Sequence, residues 1–200
     1  MDKPATLDHP VLSHIQERWS PRAFSDRPVK PEVLRSLLEA ARWAPSAFND
    51  QPWCFLVATK DQSLPFSRII EGLVPANQVW AKRAPALMVA LSRTRFAMSG
   101  KPNRHAKYDL GQAVATLTVQ ASSMGLRLHQ MGGIRREALR GAHDLPREIE
   151  PVVVIAVGYP GQPDSLPDSL ARREQADRLR RPQSEFVFCG RWGELWGGGV

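Results

Sequence analysis

Cysteine is nearly absent: only Cys54 and Cys189 occur in 200 residues. They stand far apart, with no paired spacing and no close histidines, so they do not suggest a metal site. A disulfide is not expected in a reducing compartment, and both read as partly buried free thiols. Long apolar runs are missing too; no window approaches the roughly 18 residues of a membrane span. The first residues, Met1-Asp2-Lys3-Pro4, lack the basic-then-apolar layout of a secretory leader, so the cytoplasm is the expected location. His9, His14, His105, His129 and His143 show no metal-ligand spacing. There is no Gly-x-Ser-x-Gly elbow, no Gly-x-Gly-x-x-Gly after a strand and no phosphate-binding P-loop. Glu137, Asp144, Glu148 and Glu150 read as surface residues around a short helix. This shortage of acid–base groups points to chemistry carried by a bound cofactor, with no catalytic side chain.

Net charge is +7 and the pI about 10.0. The basic residues are spread along the chain, and the densest cluster, Arg172 to Arg181, contains Glu174 and Asp177. No basic stripe interleaved with aromatics is found, so a phosphorylated ligand fits the charge better than a nucleic acid. A composition of 42% hydrophobic and 24% charged residues suits one folded domain over residues 1–200.

Spacing predicts a first helix over Leu7–Trp19, with Val11, Leu12 and Ile15 on one face. A second helix opens at Pro31 and stops at Ala44-Pro45, its stripe formed by Val33, Leu34, Leu37, Leu38 and Ala41. Trp53–Thr59, Ala86–Ser92 and Pro151–Val157 read as buried strands. Helices are expected over Ser63–Gly72, Pro75–Lys82, Tyr108–Met124 and Arg135–Ala142. Arg93–Lys107 reads as polar and mobile. Residues 160–200 form an extension, and its proline-rich, charged part up to 185 is expected to wrap the surface or a partner subunit. Helices interleaved with three buried strands give an α+β or α/β sandwich around one sheet.

Between the second helix and the first strand stands Ala44-Pro45-Ser46-Ala47-Phe48-Asn49-Asp50-Gln51-Pro52-Trp53. It offers a hydroxyl, side-chain amides and apolar flanks, which suits a flat aromatic ligand with a polar rim. Arg18-Trp19-Ser20-Pro21-Arg22 could grip a phosphate with forked guanidiniums and a hydroxyl. Arg178-Leu179-Arg180-Arg181-Pro182 is a second basic run. His129-Gln130-Met131-Gly132-Gly133-Ile134 brings bare backbone close to a ligand edge.

In this order the motifs resemble those of the nitroreductase family of FMN-dependent NAD(P)H oxidoreductases. The family's Arg-x-Ser-x-Arg/Lys grip corresponds to Arg18-Trp19-Ser20-Pro21-Arg22, followed by Phe24 and Pro28-Val29. Its Ala-Pro-Ser-x-x-Asn-x-Gln-Pro-Trp motif corresponds to Ala44–Trp53. Gly125-Leu126 to Gly132-Gly133, Gly158-Tyr159-Pro160, Arg180-Arg181-Pro182 and Glu185-Phe186 follow in the family's order. The resemblance implies a nitroreductase-like α+β fold, a central mostly antiparallel or mixed sheet flanked by helices, in an intertwined homodimer with FMN at the interface. It also implies that Arg18, Trp19, Ser20 and Arg22, joined by Arg178 and Arg180, surround the phosphate and ribityl end. Pro45, Ser46 and Asn49 would meet the flavin, in this family often from the opposite subunit. Gln130, Met131, Gly132 and Gly133 would lie at the ring, and Asn77 at its pyrimidine edge. Trp80 stands near where some members carry a lysine. The implied chemistry is ping-pong transfer of hydride from NADH or NADPH through FMN to a nitroaromatic, quinone or enone. Two other readings are a flavin sensor or store without turnover, and a specialised branch such as reductive dehalogenation or flavin-consuming chemistry. In the latter, Arg93–Lys107 would be the gating lid.

Overall fold

Four strands build one sheet in a computed structural model that describes residues 3–197. Residues 1–2 and 198–200, part of the domain expected over 1–200, lie outside the described residues. β1 (Trp53–Thr59), β2 (Ala86–Arg93), β3 (Arg127–Met131) and β4 (Ile149–Gly158) are ordered β1-β2-β4-β3, and every neighbouring pair is antiparallel. The sheet holds one strand more than the three apolar runs indicate. β3 hides in the sequence because Arg127, His129 and Gln130 interrupt its apolar character, which an edge strand tolerates.

β2 forms the centre, and Ala86 through Ala90 are inaccessible to solvent. The two-residue period of the strand divides its side chains between two layers. Leu87, Val89 and Leu91 join Phe66, Ile69, Leu73 and Trp80 on one side; Met88 and Ala90 join Leu34, Leu37, Leu110 and Leu117 on the other. Helix α3 (Ser63–Glu71), α4 (Pro75–Ala81) and α6 (Arg136–Ala142) supply the first layer; α2 (Pro31–Arg42) and α5 (Ala106–Ser123) supply the second. In α2, Pro31 pre-sets the first turn, Glu32 complements its dipole, and Leu34, Leu37 and Ala41 are buried. The helix ends at Trp43 (φ −89°, ψ 6°), ahead of Ala44-Pro45. The small buried residues of α5, among them Ala106, Ala113 and Ala121, let it lie close to the sheet.

The first helix is much shorter than its spacing predicts: α1 is only Ser13–Glu17 and buries no side chain. Pro10 disfavours a helical His9 before it, and Arg18 turns extended (φ −63°, ψ 123°) toward Ser20-Pro21. Val11, Leu12 and Ile15 consequently face outward, 44%, 66% and 43% exposed. At the other end of the chain, Pro163 and Leu166 are buried, Leu170 and Ala171 of α7 (Asp168–Gln175) pack on the first layer, and Glu174 points inward. Among the described residues, no helix is long and apolar enough to cross a membrane, and no group of three metal-ligating side chains occurs.

Candidate functional site

Leaving α1, the chain runs extended along the β3 edge. The Pro21 carbonyl accepts a hydrogen bond from His129 Nδ1 at 2.9 Å. Gly161 N–H donates to Ala23 O at 2.9 Å and Ser25 N–H to Tyr159 O at 3.0 Å, so β4's outgoing turn fixes the same segment. Burial, opposed by the hydrogen bond to Pro21, pushes His129 down to about 4. The ring is therefore neutral near pH 7 with its proton on Nδ1. Trp80 lies against it, ring centroids 4.5 Å apart, and is 1% exposed. Trp80 is thus a core residue and not a wall of any ligand site.

After α7 the extension returns across this segment. Arg178 donates to Lys3 O at 2.5 Å, Gln16 O at 2.7 Å and Arg18 O at 2.6 Å. Three donors of its guanidinium are committed to the chain itself, so Arg178 shapes the grip more than it offers free donors. Arg180 is exposed and donates only to the neighbouring Leu179 O at 2.7 Å. Arg18 Nη1 reaches Ser20 Oγ at 3.4 Å. Together with Lys3, Trp19, Arg22, Arg173, Glu174 and Asp177, these residues line an open cavity of about 210 Å³. A cleft of about 710 Å³ beside it shares Lys3, Asp177, Arg178 and Arg180. Another of about 640 Å³, between Lys60, Arg83 and Ser165, contains none of the motif residues.

In the small cavity basic side chains outnumber the two carboxylates, Glu174 and Asp177. Burial lowers the pKa of Arg18, and the neighbouring charges of Arg178, Arg180 and Arg127 lower it further. Arg178 is lowered by burial and by Arg180 and Arg127. Arg22 is lowered by burial and Arg173, with Glu174 opposing. Arg127 at the start of β3 is 8% exposed; one guanidinium nitrogen donates to Leu126 O at 2.9 Å while Nε has no partner. Among the described residues only Arg22, of the four arginines 18, 22, 127 and 178, has a carboxylate within 4.0 Å. Arg127 does not line the cavity itself, but its charge adds to the crowding of guanidiniums there, an electrostatic setting that favours an oxygen-rich anion.

Farther along β3, Met131 is 2% exposed in the first core layer, while Gln130 is exposed on the other side. The loop beyond is tied down through its carbonyls: Asn77 Nδ2 donates to Gly133 O at 3.2 Å, and Val74 N–H to the same oxygen at 3.1 Å. A Cβ at position 133 would stand 2.8 Å from Asn77 Nδ2 and 2.9 Å from Val74 Cγ2. Only glycine allows that approach. Asn77 accordingly serves the loop with its amide N–H group.

The Ala44–Trp53 stretch folds into a 3₁₀ turn, Ala47–Asn49, with Phe48, Asn49 and Gln51 at φ 54°, 56° and 50°. Such angles are unusual for residues with a side chain and persist where surroundings impose them. Here Ala47 N–H donates to the buried Asp109 of α5 at 3.1 Å, and Gln51 N–H to Ser46 Oγ at 3.0 Å. Asp50 accepts from Ala97 N–H at 2.9 Å and Asn103 Nδ2 at 3.2 Å. Residues 93–107, expected to be polar and mobile, are therefore anchored: Arg95 bridges Pro102, and Phe96 packs its ring against the 94%-exposed Phe48, centroids 5.9 Å apart.

The structure brings Arg18, Trp19, Ser20, Arg22, Arg178 and Arg180 into one cavity and joins Asn77 to Gly133. It does not bring Pro45, Ser46 and Asn49 to them within one chain. β1 and β3 are opposite edges of the sheet, three inter-strand spacings or ~14 Å apart. Sequence reasoning missed Lys3, Arg127, Glu174 and Asp109. Only Glu174 carried a signal, as an acid inside the densest basic run.

The family model described as Nitroreductase family matches residues 15–159. A crystal structure of an oxidoreductase containing FMN is 36% identical with a TM-score of 0.88, covering 94% of this chain and 96% of its own. A candidate nitroreductase from Desulfovibrio desulfuricans, crystallised in complex with FMN, is 25% identical with a TM-score of 0.73, covering 93% and 99%. A curated relative from Methanothermobacter thermautotrophicus, described as a candidate NADH dehydrogenase/NAD(P)H nitroreductase, is 29% identical over 157 residues, 76% of this chain and 78% of that protein. With the family match covering most of its length and the fold shared over 94% of it, this chain belongs to the nitroreductase family.

Proposed function

We propose that the chain binds FMN and uses it to pass hydride from NADH or NADPH to a small acceptor such as a nitroaromatic, quinone or enone. The observation that carries this reading is the arginine-rich cavity on the segment bonded to β3 at His129, with the Gly132-Gly133 loop at the end of that strand. The donor set fits a phosphate at one end and a planar ring, met by backbone, at the other. When bound, FMN supplies the two-electron relay between reduced nicotinamide and acceptor.

The protein's own residues position and polarise. Arg18, Ser20, Arg22 and Arg180 donate to the phosphate and ribityl end, while Arg178 holds the Arg18 carbonyl in place. Backbone N–H groups of Gly132 and Gly133 serve the polar edge of the ring, fixed beforehand by Asn77 and Val74, so little reorganisation is required when charge develops there. Alignment of the reactants can account for roughly 7–11 kcal/mol of the barrier.

The site is completed by a second copy, whose Pro45, Ser46 and Asn49 approach from the sheet edge that cannot reach the cavity in its own chain. The outward-facing Val11, Leu12 and Ile15, together with exposed Tyr108 and Phe48, supply an apolar surface for that association. An absorption spectrum of purified protein, before and after anaerobic NADPH and then NADH, tests the reading. Yellow protein whose flavin bands bleach is the expected result. A colourless protein that fails to take up added FMN would sink it.

A further inference from the structure

We infer that Glu174 is a positioning residue for the phosphate grip and that it sets how strongly a phosphorylated flavin is preferred over an unphosphorylated one. This rests on the flavin reading above. Glu174 is 2% exposed near the end of α7, a helix otherwise rich in exposed polar residues. A carboxylate is costly to bury unless its oxygens are used. One oxygen, Oε1, accepts from the backbone N–H of Arg22 at 2.7 Å and of Ala23 at 2.8 Å. The other, Oε2, has no hydrogen bond and stands 3.9 Å from Arg22 Nη1.

These polar contacts go to the backbone of Arg22 and Ala23 and to the Arg22 guanidinium. The same residue's carbonyl accepts from Lys3 Nζ at 2.6 Å, which adds the N-terminal arm to the assembly. Glu174 therefore fixes the backbone that carries Arg22, through the two N–H groups on Oε1. An ion pair kept for stability alone would gain little here, because a buried pair is often no better than apolar packing. Held in place for an incoming phosphate, Arg22 has a use for it.

Reach and charge are separable. Glu174→Asp keeps the charge but withdraws the carboxylate by about 1.5 Å, one C–C bond. Glu174→Gln keeps the reach of Oε1 but removes the charge. The dissociation constants of FMN and riboflavin are measured by fluorescence quenching for wild type and both variants, alongside their melting temperatures. Wild type is expected to favour FMN; if it does not, the phosphate reading fails before any variant is considered, and this inference fails with it. Given that preference, Glu174→Asp should weaken FMN by about tenfold or more, in line with second-layer partners of other sites. Its riboflavin affinity should stay within about twofold, the resolution expected of context effects. Glu174→Gln should keep the preference. Equal weakening of both flavins together with a lowered melting temperature marks a scaffold only and overturns the inference. So does loss of preference in Glu174→Gln with retention in Glu174→Asp, and so does no change in either. Glu174→Ala replaces the aspartate variant if that one does not fold, with the same expected loss.

Discussion

Arg178 and Arg180 look interchangeable in the sequence, and the structure separates them. Arg178 spans three carbonyls from Lys3, Gln16 and Arg18, whereas Arg180 meets only its neighbour's. Replacing Arg178 by lysine leaves one ammonium where a planar fork served three acceptors. Hydrogen bonds from a charged donor contribute about 1.5–3 kcal/mol each when buried. Arg178 is half-buried, so two lost bonds amount to roughly 2–3 kcal/mol once discounted for solvent. For a chain of this size that lowers the melting temperature by roughly 4–12 °C. Arg180→Lys should leave the melting temperature within about 1–2 °C, as expected of an exposed position, and should act only on FMN retention. Thermal denaturation of the two flavin-free variants, followed by circular dichroism, makes the comparison. Equal shifts, or a stable Arg178→Lys, would refute the view that Arg178 fastens the N-terminal arm.

Gly133→Ala should cost about 1–3 kcal/mol through crowding against Val74 and Asn77, read by urea denaturation. It should also slow flavin reduction by displacing the loop. Neutral burial of His129 stabilises the fold only above its unfolded pKa near 6.5, and that contribution is lost as pH falls toward 4. Wild type should therefore lose about 2–3 kcal/mol between pH 7.5 and 4.5 that His129→Asn does not lose, by urea midpoints at both pH values. Leu12→Asp and Ile15→Asp sit on a helix that buries no side chain fully. They should yield monomers by light scattering, with FMN released and melting temperature little changed. Arg22→Ala should weaken FMN retention more than it alters the bound flavin's spectrum; unchanged affinity would count against its phosphate role.

Most of the fold was legible because period and punctuation agreed. Trp53–Thr59 matches β1 to the residue, and Pro31 opens α2 as its fixed φ predicts. β3 was not legible: its three polar residues make sense only once the strand lies at an edge with His129 bonded to Pro21. The length of α1 was overestimated because its apolar spacing serves an outer face and no core. Within the site, Arg18, Ser20, Arg22 and the paired glycines could be picked out by residue type. The dual character of the basic run could not, because separating Arg178 from Arg180 requires the carbonyls of Lys3 and Gln16, some 160–175 residues away. Asp109 was equally hidden, a carboxylate in mid-helix whose partner, the Ala47 N–H, is 62 residues upstream.

The bonds that close the arginine cavity join segments far apart in the chain: Lys3 to Arg178, and Arg22 to Glu174. Neither wall is local: each needs a segment beyond residue 170 docked beside one before residue 25. Closing loops of 150 to 175 residues is paid in entropy that only an already formed sheet can offset. A chain in which these segments have not docked therefore lacks the assembled cavity. Ligand occupancy of this pocket would then be a readout of folding quality, reporting that the two distant segments have docked.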